Sequence, residues 1–299
     1  MKKYNVAVVG ATGMVGRTFL KVLEEKNLPV ENYYLMASAR SAGKKVAFMG
    51  KEYTVEELNE HSFDKPIDIA LFSAGGSTSE KFAPIAAAHG CIVIDNSSAW
   101  RMDPDVPLVV PEVNSYDLEW ANKKNIIANP NCSTIQAMVA LKPLDDKYTI
   151  KRVVYSTYQA VSGAGMGGWS DLENGLKGEA PKKFPHPIAN NCLPHIDVFE
   201  ESGYTKEEIK MVNETRKILG NPDMRVTATT VRVPVFNSHS ESINLEFEKP
   251  FDLAELKQTL QDAPGIIIQD DPANNVYPMA VTATGHDEVY VGRIRRDDS

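Results

Sequence analysis

The chain has 299 residues and a mass of 33.0 kDa, enough for two domains at about 150 residues each. With 42% hydrophobic and 24% charged residues it has the make-up of a folded globular protein. That excludes a mostly disordered chain, a collagen and a coiled coil, and no stretch approaches the roughly 18 uncharged apolar residues that span a bilayer.

The net charge of −8 argues against a nucleic-acid partner, because a phosphate backbone is repelled on average. A few local cations can still hold a small anion. Three cysteines, Cys91, Cys132 and Cys192, are too few and too scattered for a disulfide framework. No Cys-x-x-Cys pair points to zinc, so no metal is expected. Lys2 and Lys3 precede an apolar run as in a secretory leader, but Gly10, Thr12, Gly13 and Gly16 interrupt it and no cleavage site follows. The reading is a reduced, cytoplasmic chain.

Residues 6–9 form a short, wholly apolar run, as expected of a strand buried on both faces. Gly10, Gly13 and Gly16 follow, spaced G-x-x-G-x-x-G, and then Val15, Phe19, Val22 and Leu23 recur at helical spacing. A glycine turn between strand and helix lets a pyrophosphate approach the backbone, with the helix N–H groups as donors. The alternative is an ordinary strand-to-helix turn. Residues 33–37 read as a second strand. After them come Ser38, Arg40, Ser41 and Ala42, with no acid to grip a ribose 2′-hydroxyl. Arg40 between two serines suits a 2′-phosphate, hence NADP, unless the loop is merely solvated.

Residues 67–72 read as a strand and 80–89 as a helix with Pro84 in its first turn; 91–94 and 126–128 are further apolar runs. Strands separated by helices imply a doubly wound parallel sheet. Cys132 stands at the start of a run free of helix breakers, residues 133–142, which ends before Pro143. A helix start favours the thiolate, and a thiolate can attack an aldehyde and carry an acyl group as a thioester. The alternative is a small buried hydrophobe. Cys91, in a strand run, and Cys192, beside no obvious helix start, look structural.

The second half has longer, alternating strands at residues 153–158, 226–233, 243–247 and 289–294, suited to a sheet with one wet face. Residues 253–260 read as a helix between Asp252 and Pro264; 163–168 and 175–187 read as loops. Of the six histidines, His239 stands among Asn237, Ser238 and Ser240 just ahead of a strand, a setting that suits a working imidazole. The other five stay open. Glu207 and Lys210, three apart, share a helical face and by spacing alone are an ordinary solvated ion pair.

The motifs GATGMVG (10–16), SARSAGK (38–44), VPLVVPEVN (106–114), NPNCST (129–134), STYQAVSGAG (156–165) and VRVPVFNSHSES (231–242) are more specific. Through them the chain resembles the aspartate-semialdehyde dehydrogenases of bacteria over residues 4–296. The resemblance implies an α/β architecture: a Rossmann-type NADP domain in residues 1–131, and an α+β catalytic and dimerisation domain with a mixed sheet in residues 132–299. It implies a cytoplasmic homodimer that reversibly converts L-aspartate 4-semialdehyde, phosphate and NADP to 4-phospho-L-aspartate and NADPH, in lysine, threonine, methionine and isoleucine biosynthesis.

By the same resemblance Cys132 is the nucleophile, His239 the acid/base, Gln159 the group that orients the acyl intermediate, and Asn131 its neighbour. Arg101 and Lys210 match phosphate-binding cations, and Arg232 and Glu207 match groups that grip the substrate carboxylate and ammonium. Gly10, Thr12, Gly13, Met14, Val15, Ser38, Arg40, Ser41, Ala42, Ser162 and Gly163 correspond to cofactor contacts. Two alternatives remain beside this one: a reductase of N-acetylglutamyl phosphate, and a chain that binds nucleotide without turnover. Relatives typically continue beyond residue 299 with a further strand and a long helix, and have a longer segment between Gly168 and Pro187. The first difference sets an expectation of weakened cofactor binding.

Overall fold

Short apolar strands alternating with helices build the first half of the chain. The computed structural model describes residues 2–298. One unit comprises the chain up to Val109 together with Asn114–Pro130; the other comprises Val110–Val113 and the chain from Asn131 onward.

The first unit contains β1 (Tyr4–Val9), α1 (Met14–Lys26), β2 (Val30–Ala37), β3 (Lys45–Phe48), β4 (Lys51–Thr54), β5 (Glu56–Glu57), β6 (Ile69–Phe72), α2 (Gly76–Ala88), β7 (Ile92–Asp95) and β8 (Ile126–Ala128). Its sheet runs β5-β2-β1-β6-β7-β8, with every pairing parallel. Parallel strands are covered on both faces, and Val6, Ala7, Val8 and Val9 are accordingly buried. The chain passes from β1 to one neighbour, β2, and later returns to the other, β6. The carboxyl end of β1 is therefore the topological switch point, where this architecture places its ligands.

Helix α1 packs through Gly16, Leu20 and Leu23, with Phe19 at the edge of the core. Val15 and Val22 of the expected stripe lie outside it and are exposed. Helix α2 begins at Gly76, earlier than expected, which leaves Pro84 mid-helix. The helix continues because Ala83 and Ala86 beside the proline are fully buried.

The second unit contains α3 (Pro111–Asn114, its last residue belonging to the first unit), α4 (Cys132–Tyr148), β9 (Ile150–Gln159), α5 (Gly165–Gly175), α6 (Lys206–Ile218), β10 (Arg225–Arg232), β11 (Ser240–Phe247), α7 (Leu253–Gln261), β12 (Ile266–Ile268), α8 (Ala280–Ala283) and β13 (Val289–Val291). The main sheet is mixed, in the order β10-β9-β11, with β10 parallel and β11 antiparallel to β9. Val153, Tyr155, Thr157 and Gln159 of β9 point to its buried face, while Tyr158 is exposed.

Two expectations fail here. Helix α4 runs through Pro143 for 17 residues. An internal proline costs about 3 kcal/mol, but the turn beyond it buries Leu144 and Tyr148 against Leu256 and Leu260, each worth roughly 1.5–3 kcal/mol. The glycine-rich stretch 163–168, expected as loop, forms a tight turn over Val161–Ala164 and the start of α5. Gly168 allows that packing, since a Cβ there would lie 2.6 Å from the Val161 carbonyl oxygen. No helix among the described residues is long and apolar enough to cross a membrane.

The glycine turn yields a discriminating test. Gly10 has φ +88°, and a Cβ would lie 2.3 Å from the Ser73 carbonyl oxygen, whereas a Cβ on Gly13 meets nothing closer than 3.3 Å. Gly10→Ala should lose roughly 2–4 kcal/mol in denaturant unfolding, and Gly13→Ala less than about 1 kcal/mol. Equal losses would refute the distinction.

Candidate active site

In the first unit, β1 ends at Val9 and α1 starts with Gly13 as its N-cap, with no side-chain cap and no acid in the first turn. The first-turn amides therefore face outward at the switch point, an arrangement that fits a pyrophosphate. Ser38 precedes a short turn, Ala39–Ser41, at the end of β2, and its carbonyl accepts from the Ser41 amide at 2.8 Å. Arg40 is exposed, and Lys44 Nζ donates to Ser41 Oγ at 3.4 Å, so a second cation stands in this loop. The strand pairing also lays Glu56 and Glu57 beside Met36 and Ala37; Glu56 is taken by Lys65. Arg101 is buried, and its guanidinium donates to the carbonyls of Asn129 (2.9 Å) and Asn96 (3.1 Å).

In the second unit, Cys132 is the first residue of α4 and is exposed. Asn131 caps the helix: its Oδ1 accepts from the amides of Ser133 at 3.0 Å and Thr134 at 3.2 Å. The positive end of the helix dipole thus lies at the sulfur. Asn131 is held in turn by two carboxylates. Its amide donates to Glu214 Oε2 at 2.6 Å, and its Nδ2 donates to Glu207 Oε1 at 2.8 Å.

Those carboxylates come from α6, which opens with a capping box between Thr205 and Glu208. The second oxygen of Glu208 accepts from the Thr230 amide at 2.9 Å and so ties the helix start to β10. Glu207, only 6% exposed, accepts from Gln159 Nε2 at 3.4 Å and from Lys210 Nζ at 3.3 Å. Lys210 also donates to Asp197 at 2.7 Å. Burial opposes the charge on Lys210, but the Asp197 bond and the two carboxylates outweigh it and raise its pKa. The pair read from spacing as solvated is therefore largely buried.

Strand register supplies the other side of the site. Arg232 lies opposite Gln159, and Ser240 lies opposite Tyr158, which sets His239 beside Gln159. The Ala160 peptide brackets both side chains: its carbonyl accepts from Arg232 Nη1 at 2.7 Å, and its amide donates to His239 Nδ1 at 2.9 Å. A neutral His239 thus carries its proton on Nε2. Burial, and then the Arg232 charge, lower the His239 pKa to about 4. Arg232 is itself lowered by burial, against the charges of Cys132 and Glu207, and its Nε is buried without a partner. Gly163 must be bare, because a Cβ would lie 2.7 Å from Arg232 Nη1 and 3.2 Å from His239 Cε1.

The second unit thus gathers Asn131, Cys132, Gln159, Gly163, Glu207, Lys210, Arg232 and His239. Ser162 lies in the turn before Gly163, its amide on the Phe236 carbonyl. Cys91 is buried, which pushes its thiol up to about 12. Cys192, expected to be structural, is exposed. Sequence reading did not single out Ala160, Asp197 or Glu214. Ala160 acts through its backbone and leaves no side-chain signal. The Thr205-x-x-Glu208 spacing ahead of an apolar stripe, however, is a readable helix start.

Comparison with known proteins places these features. Residues 5–121 match the family model "Semialdehyde dehydrogenase, NAD binding domain", and residues 141–299 match "Semialdehyde dehydrogenase, dimerisation domain". The chain is 63% identical to the aspartate-semialdehyde dehydrogenase of Aquifex aeolicus, over 98% of this chain and 88% of that protein. It resembles the crystal structure of aspartate semialdehyde dehydrogenase II from Vibrio cholerae complexed with ASA, with TM-score 0.95, 46% identity, and coverage of 100% of this chain and 90% of that one. The Candida albicans enzyme, solved with NADP, matches with TM-score 0.78 and 27% identity over 99% and 90% of the two chains.

The imidazole offers a direct check. A ¹⁵N-resolved NMR titration should find the His239 ring neutral at pH 6, protonated on Nε2, with a midpoint near 4. Arg232→Gln should move that midpoint upward, since the guanidinium is one of its two depressing influences. A wild-type midpoint at the ordinary value of about 6.5 would refute the arrangement.

Proposed function

Because the chain belongs to the aspartate-semialdehyde dehydrogenase family, we propose that it catalyses the NADP-dependent, reversible reductive dephosphorylation of 4-phospho-L-aspartate to L-aspartate 4-semialdehyde through a thioester on Cys132. The observation that carries this reading is an exposed thiol on the first turn of α4, in electrostatic contact with Arg232.

In the reductive direction the Cys132 thiolate attacks the acyl carbon, the C–O bond to phosphate breaks, and inorganic phosphate leaves. A nicotinamide held at the α1 start would supply the hydride that reduces the acyl carbon. The C–S bond then breaks, which returns the thiolate and releases the aldehyde. His239 meets the reacting oxygen through Nε2, whose N–H stabilises the negative charge of the thiohemiacetal. Transfer of a whole proton goes through the doubly protonated ring, which forms at the expense of the Ala160 bond; burial makes that cation scarce and strongly acidic. Gln159 and Asn131 hold the carbonyl against the sulfur.

Arg232 is the carboxylate clamp, with its unpartnered Nε as the open donor. Glu207 takes the substrate ammonium, and Arg101 and Lys210 the phosphate. An ammonium clamp favours a free amino acid over its acetylated analogue. The uncapped α1 start and the basic Arg40–Lys44 loop fit NADP, the cofactor present in the Candida albicans structure. The exposed Tyr158 on the outer face of the β10-β9-β11 sheet and the match to a dimerisation domain support a homodimer. We place the enzyme in the cytoplasm, in the biosynthesis of lysine, threonine, methionine and isoleucine.

The test is absorbance of reduced nicotinamide with aspartate semialdehyde, phosphate and NADP. Turnover is expected, and its absence with nucleotide still bound would refute the reading. Cys132→Ser should lower kcat by roughly three orders of magnitude or more; near-normal turnover would remove the thiol from the mechanism. Arg40→Asp should weaken NADP about tenfold or more and leave NAD nearly unchanged. Equal losses would overturn the 2′-phosphate assignment.

A further inference from the structure

Behind the row of Arg232, Gln159 and His239 lies a second row. In the same registers Thr230 stands opposite Thr157, and Thr157 stands opposite Glu241. Thr157 and Thr230 are fully buried. Three polar atoms of this row, Thr230 Oγ1, Thr157 Oγ1 and Glu241 Oε2, are buried without a partner. Such a row beneath a reactive site is unusual, because buried polar atoms are nearly always paired.

The other oxygen of Glu241 is engaged. Gln136 Nε2 donates to Glu241 Oε1 at 2.7 Å and also to the His239 carbonyl at 3.4 Å. Gln136 lies four residues after Cys132 on α4, one turn along the same face. One amide therefore spans the helix that carries the sulfur and the peptide that carries the imidazole, and one carboxyl group fixes that amide.

We propose that Glu241 is a positioning residue for the Cys132–His239 pair, holding Gln136 so that it fastens the first turns of α4 to the start of β11. The proposal rests on the roles assigned to Cys132 and His239 above. Glu241 performs this role as the neutral acid. The groups facing it are Gln136 from α4, Thr157 and Tyr155 from β9, and His239 just ahead of its own strand, with Arg232 one row away on β10. No cation among the described residues pairs with it. Burial accordingly pushes its pKa up to about 8, against the Gln136 bond. As an acid its Oε2 is an uncharged O–H; neither it nor the Thr157 hydroxyl opposite has a partner. Above about pH 8 a buried negative charge replaces that neutral group, against the Gln136 side chain one helical turn from Cys132.

The linkage sign follows. A carboxyl raised from 4.5 in the unfolded chain to about 8 in the fold contributes stability that is lost as pH rises between those values.

The test compares Glu241→Gln, which mimics the neutral acid, with Glu241→Ala. The glutamine variant should keep kcat within about twofold at pH 7 and lose the wild-type decline near pH 8. The alanine variant should lower kcat roughly tenfold or more, with KM for the semialdehyde moved less than about threefold. Two readouts need no turnover. Iodoacetamide labelling of the Cys132 peptide, followed by mass spectrometry so that Cys192 does not interfere, should show in wild type an inflection near pH 8 that Glu241→Gln lacks. The thermal midpoint of Glu241→Gln should gain on wild type as pH rises from 5 to 8. A glutamine variant as impaired as alanine, or one that keeps the inflection, would overturn the proposal. Absence of semialdehyde-dependent turnover in wild type would instead overturn the functional reading, while labelling and melting still decide the role of Glu241.

Discussion

Burying the Glu207 carboxylate organises the second unit. An ionised carboxylate out of water is costly unless it is paired and hydrogen-bonded. Glu207 collects Asn131, Gln159 and Lys210 as donors, and these arrive from the cap of α4, the end of β9 and a later turn of α6. Satisfying one charge thus fixes the helix start under Cys132, the side chain beside Arg232, and the lysine that Asp197 shares. The Thr205–Glu208 box makes this possible, since Glu208 anchors the same helix start to the Thr230 amide of β10. Removing any one donor leaves a buried charge short of a partner, so the site has one well-defined arrangement.

The same economy governs the cations. Lys210 lies between two carboxylates and Arg232 interacts with one, while burial and then the neighbouring guanidinium disfavour a charge on His239. A second cation there is disfavoured by the first. The ring's tautomer follows from the Ala160 amide, so a backbone group settles which nitrogen of the neutral ring carries the proton. The groups proposed as nucleophile, donor and clamp are set by packing and hydrogen bonds that exist before any ligand arrives, as preorganised catalysis requires.

Local signals were legible in the sequence, and long-range ones were not. The apolar run of β1, the glycine turn and the position of Cys132 at a helix start each depend on neighbours within a few residues, and they read correctly. The Glu207–Lys210 spacing read as a solvated pair because burial is decided by Asn131, 76 residues away. The stretch 163–168 read as loop because Gly163 and Gly168 serve close packing, against Arg232 and His239 and against Val161, rather than flexibility. Pro143 and Pro84 read as helix limits because propensity counts the lost hydrogen bond and not the tertiary burial on either side of it. Register across β9 is likewise invisible to a local pattern, yet it alone sets Arg232, Gln159 and His239 in one row.

The net charge of −8 and an anionic ligand are reconciled by where the charges sit. Most acidic side chains are exposed, and water and salt screen them over about 8–10 Å. Arg232 and Arg101 are buried, where screening is weak and a guanidinium acts at close range. Arg101 is already anchored to two carbonyls, and Lys210 is neutralised by Asp197 and Glu207. Arg232 alone combines burial with a donor nitrogen that lacks a partner. In the role proposed above for Arg232, an incoming carboxylate meets a cation already desolvated in folding, and the hydrogen bond it makes replaces nothing. On that proposal a surface that repels anions on average coexists with a site that binds a carboxylate, and recognition of that carboxylate falls to the planar fork of Arg232.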